Sequence, residues 1–257
     1  MAESPTRVLS KFRAVLDCFL PDNRPMSLTE VANATGLPLS TAQRLLRSLV
    51  AEEFVSKTPS GYRLGLGLIG WASAVRRGLN VVDAARMGMD ALRDATGETV
   101  TLLVHQGLQR ICVASSPSRH AISQRSEPGE VAPLQAGSPS KVLLAWDPET
   151  TAEVLARGLI RLTAKTITDP DLFVRELAEV RDRGYATSSC ENAEGVASVG
   201  APVFDGSGHV IAALCLGGPT SRVTPEWLEN HRSQVMDLAR DVSRALGWQG
   251  GSSRTVA

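Results

Sequence analysis

Residues 27–64 read SLTEVANATGLPLSTAQRLLRSLVAEEFVSKTPSGYRL, and their order of caps, apolar spacings and turns spells out two helices and a hairpin. Ser27 with Glu30 three positions on makes the S-x-x-E capping box, which satisfies the free amides of a helix start. Leu28, Val31 and Ala32 then recur at helical spacing. Gly36, after Thr35, supplies the left-handed residue that closes a helix at least cost. Pro38 suits the first turn of a second helix, where its missing N–H costs nothing. That helix is predicted over about 38–52, with Ala42, Leu45, Leu46 and Leu49 at i, i+3, i+4 and i+7 as its buried face. Residues 54–56 and 62–64 flank a turn-rich loop at 57–61, a hairpin. Helix, turn, helix and hairpin make a winged helix-turn-helix, which lays its second helix in the major groove of DNA.

The face left over on the second helix carries Leu39, Ser40, Thr41, Gln43, Arg44 and Arg47. Hydroxyls and glutamine reach base edges, and arginine grips guanine or phosphate. Residues near the helix N-terminus reach the groove floor first. Ser40, Thr41, Gln43 and Arg44 are therefore the candidate contacts, with Arg47 nearer the DNA backbone and Lys57 and Arg63 on wing phosphates. Alone, such a face is equally an ordinary solvated stripe on an amphipathic helix; the basic hairpin behind it makes the signal specific. Upstream, Val8, Phe12, Val15, Leu16 and Phe19 share one helical face between Ser4-Pro5 and Pro21 and supply a supporting helix.

The chain has 27 Lys+Arg and 27 Asp+Glu, so it is neutral overall. Residues 1–77 hold 10 of the basic and 6 of the acidic side chains, so positive charge is gathered where DNA would bind. No apolar run approaches the roughly 18 residues needed to span a bilayer, and MAESPTRVL has no hydrophobic signal core. A soluble, cytoplasmic protein is expected. Cys18, Cys112, Cys190 and Cys215 include no C-x-x-C pair, and the four histidines are dispersed, so neither a disulfide framework nor a metal site is expected. No cofactor is implied.

Residues 66–79 read as a linker helix, with Leu66, Ile69, Ala72 and Ser73 along one side and Trp71 as either core or an interface between copies. Beyond it, 81–96 is predicted as a helix ended by Gly97. Strands follow at 99–105 and 110–115 around Gly107, then a loop-rich stretch with a short strand at 121–124 and a short helix at 139–145. Asp147-Pro148, Asp169-Pro170 and Thr224-Pro225 each pair an N-cap with proline at the first helical position. They open helices ending near Gly158, Gly184 and Gly247. Strands at 198–204 and 210–216 turn at 205–208. The whole is α+β: a winged helix-turn-helix at 4–65, the linker helix at 66–79, an antiparallel sheet flanked by helices at 80–248, and a disordered tail at 249–257.

From about residue 6 to 247 the chain resembles the IclR family of bacterial transcriptional regulators. The resemblance rests on SLTEVANATGLPLSTAQRLL, YRLGLGLIGWA, TGETVTLLV and, most specifically, RGYATSSCENAEGVASVGAPVFDGSGHVIAALCLGGPTSRVTPE. It implies a GAF-like effector-binding domain, dimers through the DNA-binding half, tetramers through the sensor half, and effectors that are small organic acids or aromatic catabolites. The family's effector loop corresponds to 135–141, ahead of a helix N-terminus suited to an anion. The resemblance therefore implies effector contacts at Ser138, Pro139, Ser140, Ser188, Ser198, Cys215 and Gly217. Pro139 offers no N–H, and the Ser138 and Ser140 hydroxyls are expected to replace it in part. Serine at 188 and glycine at 217 depart from the family's usual acidic residue and serine, which implies a pocket less polar at one end and wider at another, for a ligand bulkier than a two- or three-carbon oxoacid. Leu39 stands where the family usually has a polar residue, which implies a different operator.

The leading expectation is a transcriptional regulator, more often a repressor in similar proteins, that binds a palindromic site on double-stranded DNA as a homodimer or tetramer under control of a small molecule. Two alternatives stand beside it. One is a winged helix that binds protein. The other is a cysteine-dependent enzyme using Cys190, beside Glu191, or Cys215.

Overall fold

The computed structural model describes residues 7–77 and 80–250. The predicted start at Ser4-Pro5 and most of the predicted tail lie outside them. The chain divides into two compact units, at residue 78 and below and at residue 79 and above.

In the first unit, α1 (Arg7–Asp17), α2 (Leu28–Thr35) and α3 (Leu39–Ala51) precede β1 (Val55–Thr58), β2 (Gly61–Leu64) and α4 (Gly67–Arg77). Val15, Phe19, Met26, Val31, Leu45, Leu46, Leu49 and Val55 form its core, so the apolar spacing of the sequence does set the packed faces. Val8, the first member of the predicted α1 stripe, is exposed. The capping box is formed: Glu30 N–H donates to Ser27 Oγ at 3.2 Å and Ser27 N–H to Glu30 Oε2 at 2.8 Å. Gly36 closes α2 at φ +65°. Pro38 sits one position earlier than predicted, immediately before α3, where its carbonyl accepts from Thr41 and Ala42 N–H. The hairpin turn is also tighter than predicted. Lys57, Thr58 and Gly61 are paired, which leaves Pro59-Ser60 as the connection. Met26 adds an antiparallel bridge to Tyr62. Trp71 is 68% exposed, with its ring 6.1 Å from that of Phe54, so it is not core.

Backbone and side-chain bonds from Ser27, with Arg24 beside it, hold the Glu30 carboxyl down from its ordinary 4.5 to about 2. A carboxylate depressed on folding contributes stability that is present above its unfolded value and lost as pH falls through the folded one. The first unit is therefore expected to lose this contribution between about pH 4.5 and 2, and Glu30→Gln to flatten that part of an acid-unfolding curve. An unchanged curve would remove the box from the acid response.

The second unit is built on one six-stranded antiparallel sheet, ordered β5-β4-β3-β8-β7-β6. Its strands are β3 (Thr99–Gln106), β4 (Gln109–Ser116), β5 (Val131–Pro133), β6 (Ala186–Ser189), β7 (Val196–Phe204) and β8 (Val210–Pro219). α5 (Asn80–Thr96) and α9 (Pro225–Ala245) cover one face; α6 (Ser138–Ala145), α7 (Pro148–Arg157) and α8 (Pro170–Arg183) lie on the other side. The three predicted caps are made: Asp147, Asp169 and Thr224 each accept a backbone N–H three residues on. One strand prediction fails. Residues 121–124 form no strand, because side chains claim their carbonyls: Thr99 Oγ1 donates to Gln124 at 2.8 Å and Arg222 to Ile122 at 2.9 Å. The short edge strands are instead β5 and β6, and neither was predicted.

Alternation along the strands sorts their side chains. Val100, Leu102, Ala197, Val199, Ala201, Ala212, Leu214 and Leu216 enter the core under α5 and α9. Thr101, Leu103, Ser198 and Cys215 then face the α6 side. Among the described residues, no helix is long and apolar enough to cross a membrane.

Candidate functional site

Two surfaces carry the predicted residues, one in each unit. On α3, Ser40, Gln43, Arg44 and Arg47 are exposed and Thr41 is half-buried. Ala42, Leu45, Leu46 and Leu49 hold the helix from behind. Leu39, at its first position, is exposed as well. Lys57 and Arg63 are both exposed. The register pairs Lys57 with Tyr62 and Ser56 with Arg63, so the two cations project from opposite faces of the wing. Among the described residues, none of Arg44, Arg47, Lys57 and Arg63 appears in a salt bridge within the chain, so these charges remain available to an outside anion.

In the second unit a cavity of about 330 Å³ opens between the sheet and the N-terminus of α6. Of the seven effector residues implied by the resemblance, Pro139, Ser188, Ser198 and Cys215 line it. The other three do not. Ser138 is fully buried behind the wall, its hydroxyl 2.8 Å from Ser198 Oγ and 3.1 Å from Cys215 Sγ. Ser140 accepts from Arg110 at 2.7 Å. Neither hydroxyl reaches the cavity wall, so neither stands in for the missing Pro139 amide. Gly217 does not widen the pocket either, because Gln124 fills the space where its side chain would be, with Oε1 2.7 Å from an ideal Cβ.

The cavity has the neutral Ser188 hydroxyl on one part of its wall and a charge on another. Arg110, from β4, lies on its wall and is only 8% exposed. Nη1 donates to the Ala136 carbonyl and to Ser140, and Nη2 donates to Asn192 Oδ1 at 2.9 Å. Burial lowers its pKa from the usual guanidinium range, but arginine stays charged in proteins. A bulge between Leu102 and Leu103 in the pairing leaves Val113 without a partner. It turns Arg110 and Cys112 toward the cavity while Ala114 enters the opposite core.

Burial raises the pKa of both thiols on the wall, Cys112 to about 11 and Cys215 likewise upward. Neither is the thiolate that nucleophilic chemistry needs. Glu191, the neighbour of Cys190, is bonded by Lys141 at 2.8 Å.

A family model described as bacterial transcriptional regulator IclR C-terminal matches residues 73–244, and one described as the IclR helix-turn-helix domain matches residues 8–59. The chain belongs to the IclR family. Membership makes it a DNA-binding transcriptional regulator with an effector-binding C-terminal domain, and points away from an enzyme. Among IclR-family relatives it is similar to the HTH-type transcriptional regulator XynR of Escherichia coli (strain K12), 31% identical over 91% of this chain and 94% of that one. It is 28% identical to the HTH-type transcriptional repressor AllR of the same organism, over 96% and 93%. A solved IclR homolog from Microbacterium hydrocarbonoxydans, complexed with 4-hydroxybenzoate, is 25% identical with a TM-score of 0.80, covering 93% of this chain and 98% of that one.

Proposed function

We propose that this regulator is a repressor acting in the cytoplasm, which binds a palindromic operator as a homodimer or tetramer and is controlled by a small molecule held in the 330 Å³ cavity. The observation that carries this reading is the exposed, uncommitted polar face of α3, backed by a packed apolar face that fixes its orientation. Ser40, Thr41, Gln43 and Arg44 read bases, while Arg47, Lys57 and Arg63 hold phosphates. Leu39, exposed at the start of the same helix, suits a thymine methyl group and shifts the preferred sequence accordingly. Exposed Leu66, Ile69 and Trp71 on and beside α4 give two copies an apolar surface on which to pair. Pairing would set the spacing of the half-sites. Relatives named as repressors, and a homolog complexed with 4-hydroxybenzoate, favour repression and an acid or aromatic effector.

The test is binding of the full chain to DNA upstream of its own gene and of neighbouring genes, with excess random DNA as competitor. Retained binding is the expected result. Complete loss to the competitor on every such fragment would count against a local operator. No binding at low salt would turn attention to the protein-binding winged helix.

A further inference from the structure

The buried charges of the second unit are not all treated alike. Glu98 is bonded by Arg222, and Lys141 by Glu176 and Glu191. Arg110 is also buried, yet among the described residues its three bonds go to a backbone carbonyl, a hydroxyl and an amide, all neutral. A buried cation with no bonded counter-charge is costly; the exposed Glu130 carboxylate acts on it only through space, and a neutral donor would make the same three bonds without that cost. The guanidinium has five N–H groups, so two remain for another acceptor. It lies on the cavity wall, beside Gly137 at the start of α6.

The other charges around the cavity are Arg125 and Glu130, both exposed, so the buried part of the wall is positive. Leu103, Ala132 and Val196 supply apolar lining. A volume of about 330 Å³ is at the lower end for ligand sites, which limits the occupant to one small molecule with a compact body.

We propose that Arg110 determines the specificity of this pocket by pairing its guanidinium with the negative charge of the effector, which is a small monocarboxylate. This rests on reading the cavity as the effector site. The carboxylate lies against the two free N–H groups, the geometry in which arginine binds carboxylates most selectively. The apolar body of the ligand lies along Leu103, Ala132 and Val196.

The test uses the full chain with propionate, benzoate, phenylacetate and 1-naphthoate, each against its primary amide, read by thermal shift and calorimetry. At least one acid is expected to bind and raise the melting temperature, while its amide does not. Arg110→Gln should weaken that acid by about 10- to 100-fold, the range for a hydrogen bond to a charged group. Arg110→Lys should recover part of the loss. An amide equal to its acid, a full response in Arg110→Gln, or no response to any acid would overturn the proposal. The comparison of acid with amide on the unaltered chain does not depend on either variant folding. Operator binding is measured on the same samples. If it persists while the acid response is absent, only the Arg110 assignment falls; if it is absent in the unaltered chain, the regulator reading falls with it.

Discussion

Replacing Lys141 by alanine is expected to lower the stability of the second unit by about 3–5 kcal/mol, the usual result of removing one partner from a buried ion pair. Lys141 lies on α6, every residue of which is buried. Its side chain is 3% exposed, and Nζ stands 3.0 Å from Glu176 and 2.8 Å from Glu191. Arg183, the other cation on Glu176, is more exposed and does not reach Glu191 in the structure. Without Lys141 the Glu191 carboxylate is left largely buried with no cation against it. For a unit of this size the loss corresponds to a fall in melting temperature on the order of 10 °C. Thermal and urea unfolding followed by far-UV circular dichroism would measure it. Lys141→Met keeps most of the stem and should cost nearly as much, because the orphaned Glu191 carboxylate is the source of the penalty. Adding Glu191→Gln to Lys141→Met should restore a good part. If Lys141→Met were close to the unaltered chain, packing of the stem rather than charge would be the reason for the site.

The contrast between Lys141 and Arg110 also separates what sequence could reveal from what it could not. The first unit was legible because its signals are local. Ser27 caps Glu30 three residues away, Gly36 closes the same helix, and the stripe from Ala42 to Leu49 lies within a single α3. The helices of the second unit were legible for the same reason, through Asp147, Asp169 and Thr224 beside their prolines. β6, with the sequence ATSS, has no large apolar residue to alternate, so its place at the sheet edge depends on pairing with β7. Residues 121–124 have strand-like character, but their carbonyls are taken by Thr99 and Arg222 from distant parts of the chain.

The pocket was legible only in part. Pro139, Ser188, Ser198 and Cys215 reach its wall, and family resemblance is what pointed to them. Arg110 gave no comparable signal. An arginine beside a hairpin turn reads as a solvated end residue, and the partners that hold it inward, Ser140 and Asn192, lie 30 and 82 positions away. The bulge at Val113 breaks the simple alternation that would have assigned its face. Gly217 erred in the opposite direction: the missing side chain suggested open space, but Gln124 arrives from the irregular 117–130 segment to fill it.

Operator affinity is expected to fall by about 10³–10⁵ between 50 and 200 mM salt, the range for a protein that neutralises six to ten phosphates. Arg47, Lys57 and Arg63 give three phosphate-binding cations in each copy, six for two copies on one duplex, with Arg44 beside them on the bases. All four are exposed and none is in a salt bridge within the described residues. Because Lys57 and Arg63 leave opposite faces of the wing, one of the pair reaches phosphate less directly, which places the slope toward the lower end. Single substitutions divide the remaining cations by role. Arg47→Ala should weaken all sequences alike and flatten the salt slope by about one unit per copy. Arg44→Ala should cost about 1–3 kcal/mol and relax the preference at one base pair of each half-site. Fluorescence anisotropy on operator and scrambled duplexes across a salt series reads both quantities. The assignment of bases to Arg44 and phosphates to Arg47 stands on their order along α3, with Arg44 one turn nearer the N-terminus that enters the groove. If Arg47→Ala changed sequence preference while Arg44→Ala changed only the salt slope, α3 would lie in the groove with the opposite end leading.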